Sequence, residues 1–379
     1  MKFLFIIQGE GRGHLTQAIA LAEMLENNGH TIAGALIGSR NGQKAPQFFA
    51  EHFNHTIIPF ASPCLVYCKK TKALNITKTI TNSFLKVGKY FKSLNHIQKS
   101  IQELNPDIII NFYDILGGIH HFLFRPVAPM VCIAHQYLLL HPDFKHPEKQ
   151  WLDKCLVNIN TKITALGAAK KLALSFTPFP NHQKDNIYTL PPLLRSEILS
   201  LKTASKDYIL VYLTQHSLAD ELIQWHSKNP RVKIHCFWDK PQDNEVYQYA
   251  PNLYFHKING NKFLEMMQNC QGLVTTAGFE SVCEAMYLGK PTLMVPVPKH
   301  YEQSCNALDA KRAGAGITNT TFDLSEFIHY LPTHKDTRDE FQSWHNRSTF
   351  IFLREIEALF ETNEQIAVQT LPSLTLTSN

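Results

Sequence analysis

The sequence predicts an α/β protein with two Rossmann-like domains, each built on a parallel sheet. The chain has 379 residues, more than one hydrophobic core usually organises. Short apolar runs alternate with amphipathic stretches, a pattern typical of strand–helix–strand units. Two such series follow one another, and a segment with two adjacent prolines separates them. We therefore expect two sheets facing a cleft, with a ligand at the carboxyl ends of their strands.

The first series covers residues 1–190. Helices are predicted over Leu15–Asn28 and Ile97–Leu104, where apolar residues recur with helical spacing. The predicted strands are short and apolar, as expected of strands that are buried on both faces. They are Phe3–Ile7, Thr31–Ile37, His55–Pro59, Asp107–Phe112, Val131–Ala134, Ile163–Ala165 and Asn186–Thr189.

The second series covers residues 201–338, and 191–200 form the linker because Pro191-Pro192 disfavours both helix and sheet. A late helical pattern within 339–365 predicts a C-terminal helix that packs back on the first domain. Residues 366–379 are rich in Ser, Thr and Leu and are expected to form a flexible tail. The predicted strands of this half are Tyr208–Leu213, Lys233–Trp238, Leu253–Phe255, Gly272–Thr275 and Thr292–Val295.

Composition excludes several classes of protein. The net charge of +5 is too small to indicate a nucleic-acid-binding protein. The eight cysteines lie far apart, so neither a disulfide framework nor a zinc site is expected. The N-terminal apolar run is too short for a signal peptide, and no run is long enough to span a membrane. These features favour a cytoplasmic protein, with contact at the inner face of the membrane left open.

A glycine-rich loop, Gly9-Glu-Gly-Arg-Gly-His14, joins the first predicted strand to the first helix. Its glycines, including Gly11 and Gly13, permit a tight turn and a close approach to a ligand. The spacing differs from the GxGxxG fingerprint, and the second strand ends without an acidic residue, so NAD or FAD is not favoured. His14 stands at the corner, where an imidazole could deprotonate a hydroxyl group. Alternatively, it is an ordinary capping or solvent-facing histidine.

A second candidate site begins after the predicted strand Gly272–Thr275. Gly278 permits a turn, and the amide groups at the start of the following helix favour a phosphate. Ser281 adds a hydroxyl donor, and Glu284, one turn later, could accept two ribose hydroxyl groups. Glu284 could equally be an acidic residue that interacts only with the helix dipole.

Two adjacent polar residues, Glu302 and Gln303, follow the next predicted strand. A pair of this kind can hydrogen-bond several hydroxyl groups of a sugar. The alternative is that the pair simply begins a helix. The sequence therefore predicts that a phosphate, a ribose and a second sugar are bound along one half of the molecule.

The block TTAGFESVCEAMYLGKPTLMVPVPKHYEQSCNA, residues 275–307, resembles the donor-binding signature of GT-B glycosyltransferases. The bacterial GlcNAc transferases of lipid II synthesis and the UDP-glucuronosyl and UDP-glucosyl transferases share that signature. The first loop with its helix, GEGRGHLTQAIALAEML, resembles the glycine loop and catalytic histidine of the same families. The resemblance implies the GT-B fold and a nucleotide-sugar donor. Residues 1–190 would then bind the acceptor and residues 201–338 the donor.

Individual positions carry the resemblance further. It implies diphosphate contacts from Gly278, Phe279, Glu280 and Ser281, and a ribose contact from Glu284. Glu302 and Gln303 would select the donor sugar, and the main chain at Lys257-Ile258 would bind uracil. His14 falls on the catalytic base, and Asp114 on an aspartate that orients it, unless Asp114 is only a helix N-cap. The implied set is His14, Asp114, Gly11, Gly13, Thr214, Lys257, Ile258, Thr276, Gly278, Phe279, Glu280, Ser281, Glu284, Glu302 and Gln303.

The chain departs from the pattern at two places. The first loop of the second half, Leu213–Ser217, lacks the usual glycine, so Thr214, Gln215 or Ser217 would have to donate to a phosphate. A threonine, Thr275 or Thr276, replaces the phosphate-loop histidine of the plant enzymes. The missing glycine bears on how closely the backbone approaches the diphosphate, whereas with the threonine, amide and hydroxyl groups can still hold it.

The predicted activity is inverting, metal-independent transfer of a hexose from a nucleotide diphosphate sugar, UDP-linked by resemblance. No cofactor is expected beyond this co-substrate, and the acceptor would be a sugar, a lipid or a small molecule with a hydroxyl group. A UDP-sugar epimerase and a non-catalytic sugar-nucleotide-binding protein are the alternatives. The lysine-rich segment Lys69–Lys99 suits a helix resting on anionic lipid, or an ordinary solvated helix face.

Overall fold

The computed structural model describes residues 1–64, 86–148, 150–241 and 244–369, with residues 361–369 described by their backbone only. Two seven-stranded sheets dominate these residues. All neighbouring strands of the first sheet are parallel. The second sheet is parallel except for one antiparallel edge strand. The predicted α/β fold with two Rossmann-like domains is confirmed.

The first sheet has the strand order β3-β2-β1-β4-β5-β6-β7. Its strands are β1 (Lys2–Gln8), β2 (Thr31–Ser39), β3 (Ile57–Ala61), β4 (Ile108–Phe112), β5 (Met130–Ala134), β6 (Lys170–Leu174) and β7 (Ile187–Leu190). Every residue of β4 and β5 is buried, because helices cover both faces of the sheet. The helices are α1 (Gly13–Asn27), α2 (Gln47–His52), α3 (Val87–Leu104), α4 (Ile115–Phe124), α5 (Trp151–Thr164) and α6 (Ser196–Leu199).

The second sheet has the order β10-β11-β9-β8-β12-β13-β14. Its strands are β8 (Ile209–Tyr212), β9 (Ile234–Trp238), β10 (Val246–Ala250), β11 (Leu253–Lys257), β12 (Gly272–Thr275), β13 (Thr292–Met294) and β14 (Gly316–Thr318). The later helices are α7 (Ala219–Lys228), α8 (Gly260–Asn269), α9 (Phe279–Tyr287), α10 (Tyr301–Arg312), α11 (Ser325–Tyr330), α12 (Arg338–His345) and α13 (Ser348–Gln369). In the described parts of the chain, no helix is both long and apolar enough to cross a membrane.

The prediction of a strand at Ile163–Ala165 is wrong. These residues end α5, and the sixth strand is β6, Lys170–Leu174. The inward face of α5 carries the buried threonines Thr161 and Thr164. Their hydroxyl groups donate to the carbonyl oxygens of Val157 and Thr161, which satisfies them inside the helix. A β-branched residue in a short apolar run therefore does not indicate a strand here.

The C-terminal segment forms two helices, α12 and α13, where one was predicted. The break falls at residues 346–347, which form a turn. Trp344 of α12 donates its indole N–H to the carbonyl oxygen of Ser175, at 3.0 Å. Lys170 of the first sheet forms a 2.8 Å ion pair with Glu355 of α13. Both helices thus contact the first domain after the chain has completed the second.

Each sheet changes winding direction at one point, between β1 and β4 in the first sheet and between β8 and β12 in the second. In parallel sheets, the loops at such a switch point separate and leave a crevice at the carboxyl ends of the strands. The loops after β1 and β4 lie at the crevice of the first domain, and the loops after β8 and β12 at that of the second. The candidate site occupies both crevices.

Candidate active site

A cavity of about 870 Å³ lies between the two domains. Loops from the carboxyl ends of both sheets line it, as the topology predicts. Most of the predicted site residues are on its wall. These are Gly11, Gly13, His14, Thr214, Ile258, Gly278, Phe279, Glu280, Ser281, Glu284, Glu302 and Gln303.

The glycine loop brings the chain tightly from β1 into α1. A Cβ at Gly9 would lie 2.7 Å from the carbonyl oxygen of Gly38, so only glycine allows this approach of the two strands. Gly11 has φ of +81°, a conformation that other residues rarely adopt. Among the described residues, no atom lies within 4 Å of where a Cβ at Gly11 or Gly13 would stand, and both glycines line the cavity.

His14 lies at the start of α1 with its ring stacked on Tyr113, centroid to centroid 5.7 Å. Its Nδ1 is 3.4 Å from the side-chain oxygen of Gln17. Burial lowers the pKa of His14 below its ordinary 6.5, while the negative charge of Glu302 acts in the opposite direction. The imidazole is therefore neutral at neutral pH, the form that accepts a proton.

Asp114 does not contact His14 through any hydrogen bond in the described structure. Its Oδ1 instead accepts the N–H groups of Leu116 and Gly117, at 2.8 and 3.1 Å, and so caps α4. The side chain is fully buried, and burial raises the pKa of Asp114 to about 6. The geometry thus favours the helix-cap interpretation over an Asp–His dyad.

The loop that was predicted to bind a phosphate follows β12 and leads into α9. Thr214 and Thr276 join the two central loops through their hydroxyl groups, 3.2 Å apart. Thr276 is fully buried behind the wall of the cavity, so it supports the loop from inside. Ser281 donates to the carbonyl oxygen of Gly278 at 3.2 Å, and its hydroxyl lines the cavity beside the free N–H groups of α9.

The two residues between Gly278 and Ser281 differ in orientation. Phe279 packs its ring on His135 of the first domain, with centroids 4.2 Å apart and planes at 18°. Only its main chain is therefore suited to contact a phosphate. Both carboxyl oxygens of Glu280 are buried, and neither has a hydrogen-bond partner of normal geometry among the described residues. Burial raises the pKa of Glu280 well above its ordinary value, and the charge of Glu284 adds to the increase.

Glu284 lies in an ion pair that the sequence did not reveal. Nε and Nη2 of Arg195 are 2.7 and 2.6 Å from its Oε1. The Glu284 side chain is only 4% exposed, and burial raises its pKa while Arg195 opposes that increase. Arg195 belongs to the linker after the two prolines. No local motif marks it, because its partner stands 89 residues away.

Glu302 and Gln303 begin α10. Gln303 accepts the N–H of Val297 through Oε1 at 2.8 Å, so its carbonyl oxygen holds the preceding loop and its amide group remains for a ligand. Glu302 lies close enough to His14 to influence its pKa. The second domain thus places the Glu302 carboxylate near His14 of the first domain.

The segment expected to bind uracil, Lys257-Ile258, lies at the end of β11. Ile258 lines the cavity and is 36% exposed. The side chain of Lys257 forms an ion pair with the carboxylate of Glu245 at 3.6 Å. The main-chain N–H of Lys257 donates to the Glu245 carbonyl oxygen. The main-chain N–H of Lys257 is therefore committed to the sheet edge. Among the residues that the structure describes, no group of three or more His, Cys, Asp or Glu could hold a metal ion.

Comparison with known proteins identifies the family. The family model described as glycosyl transferase family 1 matches residues 1–332. A relative from Leuconostoc mesenteroides subsp. mesenteroides is 23% identical over 347 residues, which are 86% of this chain and 87% of the relative. That relative is a UDP-N-acetylglucosamine–N-acetylmuramyl-(pentapeptide) pyrophosphoryl-undecaprenol N-acetylglucosamine transferase.

Solved structures agree in fold. The crystal structure of Acinetobacter baumannii MurG has a TM-score of 0.58 at 16% identity, covering 94% of this chain and 99% of that chain. A UDP-glucosyltransferase from Polygonum tinctorium capable of glucosylating indoxyl has a TM-score of 0.62 at 13% identity, covering 95% of this chain and 98% of that chain. At such low identity these matches show the GT-B fold alone. The family match covers most of the sequence, and the chain is a glycosyltransferase that belongs to glycosyl transferase family 1.

Proposed function

We propose that the protein transfers a hexose from a uridine diphosphate sugar to an acceptor hydroxyl group, with inversion at the anomeric carbon. One observation carries the proposal: His14 of the first domain, the Gly278–Ser281 loop and Glu302 of the second line the same cavity. A base, a phosphate site and a sugar-reading carboxylate are the groups that such a transfer needs. The uridine donor is supported by the resemblance of the 275–307 block and by the relative's name.

In the proposed reaction, neutral His14 removes the proton of the acceptor hydroxyl group. The hydroxyl oxygen attacks the anomeric carbon as the bond from that carbon to the diphosphate breaks. A single displacement of this kind inverts the anomeric configuration. The imidazolium that forms is stabilised by the Glu302 carboxylate, whose charge already favours the protonated ring.

The leaving diphosphate gains negative charge, and the protein supplies groups to stabilise it. The first N–H groups of α9 point along the helix dipole toward the cavity, and the Ser281 hydroxyl stands beside them. We propose that these groups stabilise the leaving group without a metal ion. Activity that survives EDTA and gains nothing from Mg²⁺ would support this, and strict dependence on Mg²⁺ would refute it.

The first experiment incubates the protein with UDP-GlcNAc and follows the products. Slow release of UDP is expected, because water replaces the missing acceptor. Formation of an epimeric UDP-sugar would support the epimerase alternative. Stabilisation by UDP-GlcNAc in a thermal-shift assay without any turnover would support a sugar-nucleotide-binding protein.

Changing His14 to Ala tests the base directly. General base catalysis contributes about 10²–10⁴-fold, so turnover should fall by that factor. The affinity for UDP should stay close to that of the unchanged protein, since the donor is held by the other domain. A variant that keeps its turnover would exclude His14 as the base.

The acceptor is proposed to be presented at a membrane surface, and α5 carries the argument. Its exposed face is apolar: Trp151 is 72% exposed, Leu152 56% and Ile159 50%. The adjacent end of α4 exposes Phe122 and Leu123, at 51% and 56%. Exposed apolar side chains on the surface of a helix are typical of a contact with lipid or a partner.

The opposite face of α5 reaches the candidate site. Asn160 lines the cavity, and Thr161 contacts the hydroxyl group of Tyr113 at 2.7 Å. An acceptor whose lipid lies against Trp151 would therefore need to extend only across one helix to approach His14. This supports an acceptor with a lipid anchor over a freely diffusing one.

The lysine-rich segment Lys69–Lys99 offers weaker support. Residues 65–85 lie outside the described part of the chain. Further along, Lys86 and Lys89 donate to oxygen atoms of Asn41, and Lys99 forms an ion pair with Glu103. These three cations have protein partners and are less available to lipid headgroups.

Vesicle sedimentation tests the apolar face. Changing Trp151 and Leu156 to Glu should reduce partition onto anionic vesicles by about tenfold or more, because two apolar side chains no longer enter the lipid. Phe350 is 66% exposed on α13, away from α5, and Phe350→Glu is the matched control. Equal loss of binding in the control, or none in the double variant, would exclude α5 as the contact.

A further inference from the structure

Arg12, the residue between two glycines of the first loop, is placed with its guanidinium group at the cleft. Its Cζ lies 3.6 Å from the centroid of the Phe48 ring. This stacking holds the side chain away from open solvent. Arg12 lines both the main cavity and an adjoining cavity of about 520 Å³.

The guanidinium groups of Arg12 and Arg195 both lie close to Gly260. A Cβ at Gly260 would lie 3.2 Å from Nη2 of Arg12 and 3.2 Å from Nη1 of Arg195. The two cations therefore lie next to each other, one from the first domain and one from the linker. Gly260 is also the first residue of α8, so the positive end of a helix dipole faces them.

The charges at this point do not balance. Arg195 is paired with Glu284, but Arg12 has only the Phe48 ring as a described partner and forms no ion pair in the described residues. Burial lowers the pKa of the Arg12 guanidinium, the direction expected for a cation taken from water without a matching anion. Arg12 therefore brings to the wall of the cavity a cation that has no ion-pair partner among the described residues.

We propose that Arg12 binds the diphosphate of the donor, so that the first domain completes a phosphate site carried mainly by the second. The inference rests on the proposed nucleotide-sugar donor. The diphosphate is the anionic part of such a donor and is attached to its ribose. Arg12 lies beside Arg195, which holds Glu284, the carboxylate assigned to that ribose. A guanidinium group matches phosphate oxygens in both charge and hydrogen-bond geometry.

This assignment gives the donor a role in joining the domains. Arg12 precedes α1, whose first turn carries His14. A diphosphate held by α9 and Arg12 would therefore pull the base toward the anomeric carbon. A nucleoside without phosphates would occupy the second domain and make no use of Arg12.

Calorimetry with two ligands separates these contributions. For the unchanged protein, Kd is measured for UDP and for uridine, and then for Arg12→Ala and Arg12→Lys. Loss of a hydrogen-bonded charge contact should weaken UDP binding by about 10- to 100-fold in Arg12→Ala. The affinity for uridine should change by less than about twofold. The Kd of Arg12→Lys for UDP should lie between the values for the unchanged protein and Arg12→Ala.

Arg347→Ala is the matched control, since Arg347 also stacks on an aromatic ring, Trp344, but lies outside the cavity. Its UDP affinity should equal that of the unchanged protein. Unaltered UDP binding in Arg12→Ala would overturn the inference. Equal weakening of UDP and uridine would also overturn it, because Arg12 would then support only the local fold. An unchanged protein that binds neither UDP nor any other nucleoside diphosphate would overturn the proposed function, and this inference with it.

Discussion

At the scale of single residues, His14 and Glu280 share one cavity and are both removed from water. Removal from water disfavours a charge of either sign, so the pKa of the base is lowered and that of the acid is raised. Both side chains are thereby held in their neutral forms over a wider range of pH. A neutral imidazole can accept a proton, and a neutral carboxyl group places no negative charge beside the proposed phosphate site.

The pH dependence of turnover should reveal the environment of His14. Activity is lost as pH falls through the His14 pKa, which lies below its ordinary 6.5. Because Glu302 raises that pKa, Glu302→Gln should move the acid limb of kcat to still lower pH. A limb that stays in place, measured at saturating donor, would mean that another group controls it.

Glu280 should control donor binding on the alkaline side. As pH rises through its raised pKa, ionisation puts a negative charge beside the proposed diphosphate site and weakens binding. The Kd of UDP-GlcNAc is the suitable measurement, since the charge of its diphosphate stays constant over this range. Glu280→Gln should bind with an affinity independent of pH. An unaltered pH dependence in that variant would contradict the assignment.

The positions of the site residues were only partly predictable. His14 and the Gly278–Ser281 loop could be placed at the cavity because each depends on a local strand–loop–helix pattern, and their roles stay predictions. The partnership of Glu284 with Arg195 could not, because it joins residues far apart in sequence. The sequence left Asp114 open between a dyad and a helix cap, because an orienting carboxylate and a cap can occupy the same place after a strand, and the observed hydrogen bonds favour the cap.

At the scale of elements, most of the parallel strands were predicted because each is an apolar run buried on both faces. The strands β6, β10 and β14 were missed, the first because the sequence placed it at Ile163–Ala165. β10 is a short strand at the sheet edge with four of its five residues exposed, and Gln248 interrupts its apolar and aromatic residues. β14 is only three residues long. Helix α5 was mistaken for a strand at its end because its apolar residues face outward.

The close packing of α4 on α5 gives an element-scale prediction. A Cβ at Gly118 would lie 2.1 Å from the carbonyl oxygen of Ile163, so Gly118→Ala must push the two helices apart. Overpacking of this kind costs about 1–3 kcal/mol of stability and should lower the melting temperature. Turnover should fall as well, because α5 carries Asn160 at the cavity.

Gly88→Ala is the matched control for that substitution. Gly88 is also helical, in α3, and none of the residues that the structure describes comes within 4 Å of where its Cβ would stand. Alanine is favoured over glycine in a helix, so this change should leave the melting temperature unchanged or raise it slightly. Equal effects of the two substitutions would show that helix packing is not the cause.

At the scale of the whole molecule, the chain returns to its first domain after completing the second. The ring of Phe279 packs on His135 across the cleft, and Trp344 bonds to the main chain of the first domain. Helix α13 then adds the ion pair between Lys170 and Glu355. The relative position of the domains therefore depends on the linker and on these C-terminal contacts together.

The ion pair between Lys170 and Glu355 should have a large effect when it is broken from one side. Both side chains are nearly buried, at 10% and 8% exposure, and Lys170 also donates to the Glu355 carbonyl oxygen. Lys170→Met leaves the carboxylate with Arg354 as its remaining ionic partner. The free energy of unfolding should fall by at most about 3–5 kcal/mol. Hydrogen exchange of the α13 amides is the best measurement, because it reports local detachment of one helix.

A second variant distinguishes charge from packing. Replacing Lys170 with Met and Glu355 with Leu together removes both charges and leaves none buried alone, so much of the lost protection of α13 should return. Lys262→Met breaks the exposed pair with Glu265, at 47% and 59% exposure, and should cost less than about 1 kcal/mol. If the double variant exchanges as fast as Lys170→Met, the helix is held by the lysine side chain itself. The charge argument for the return of the chain to its first domain would then be wrong.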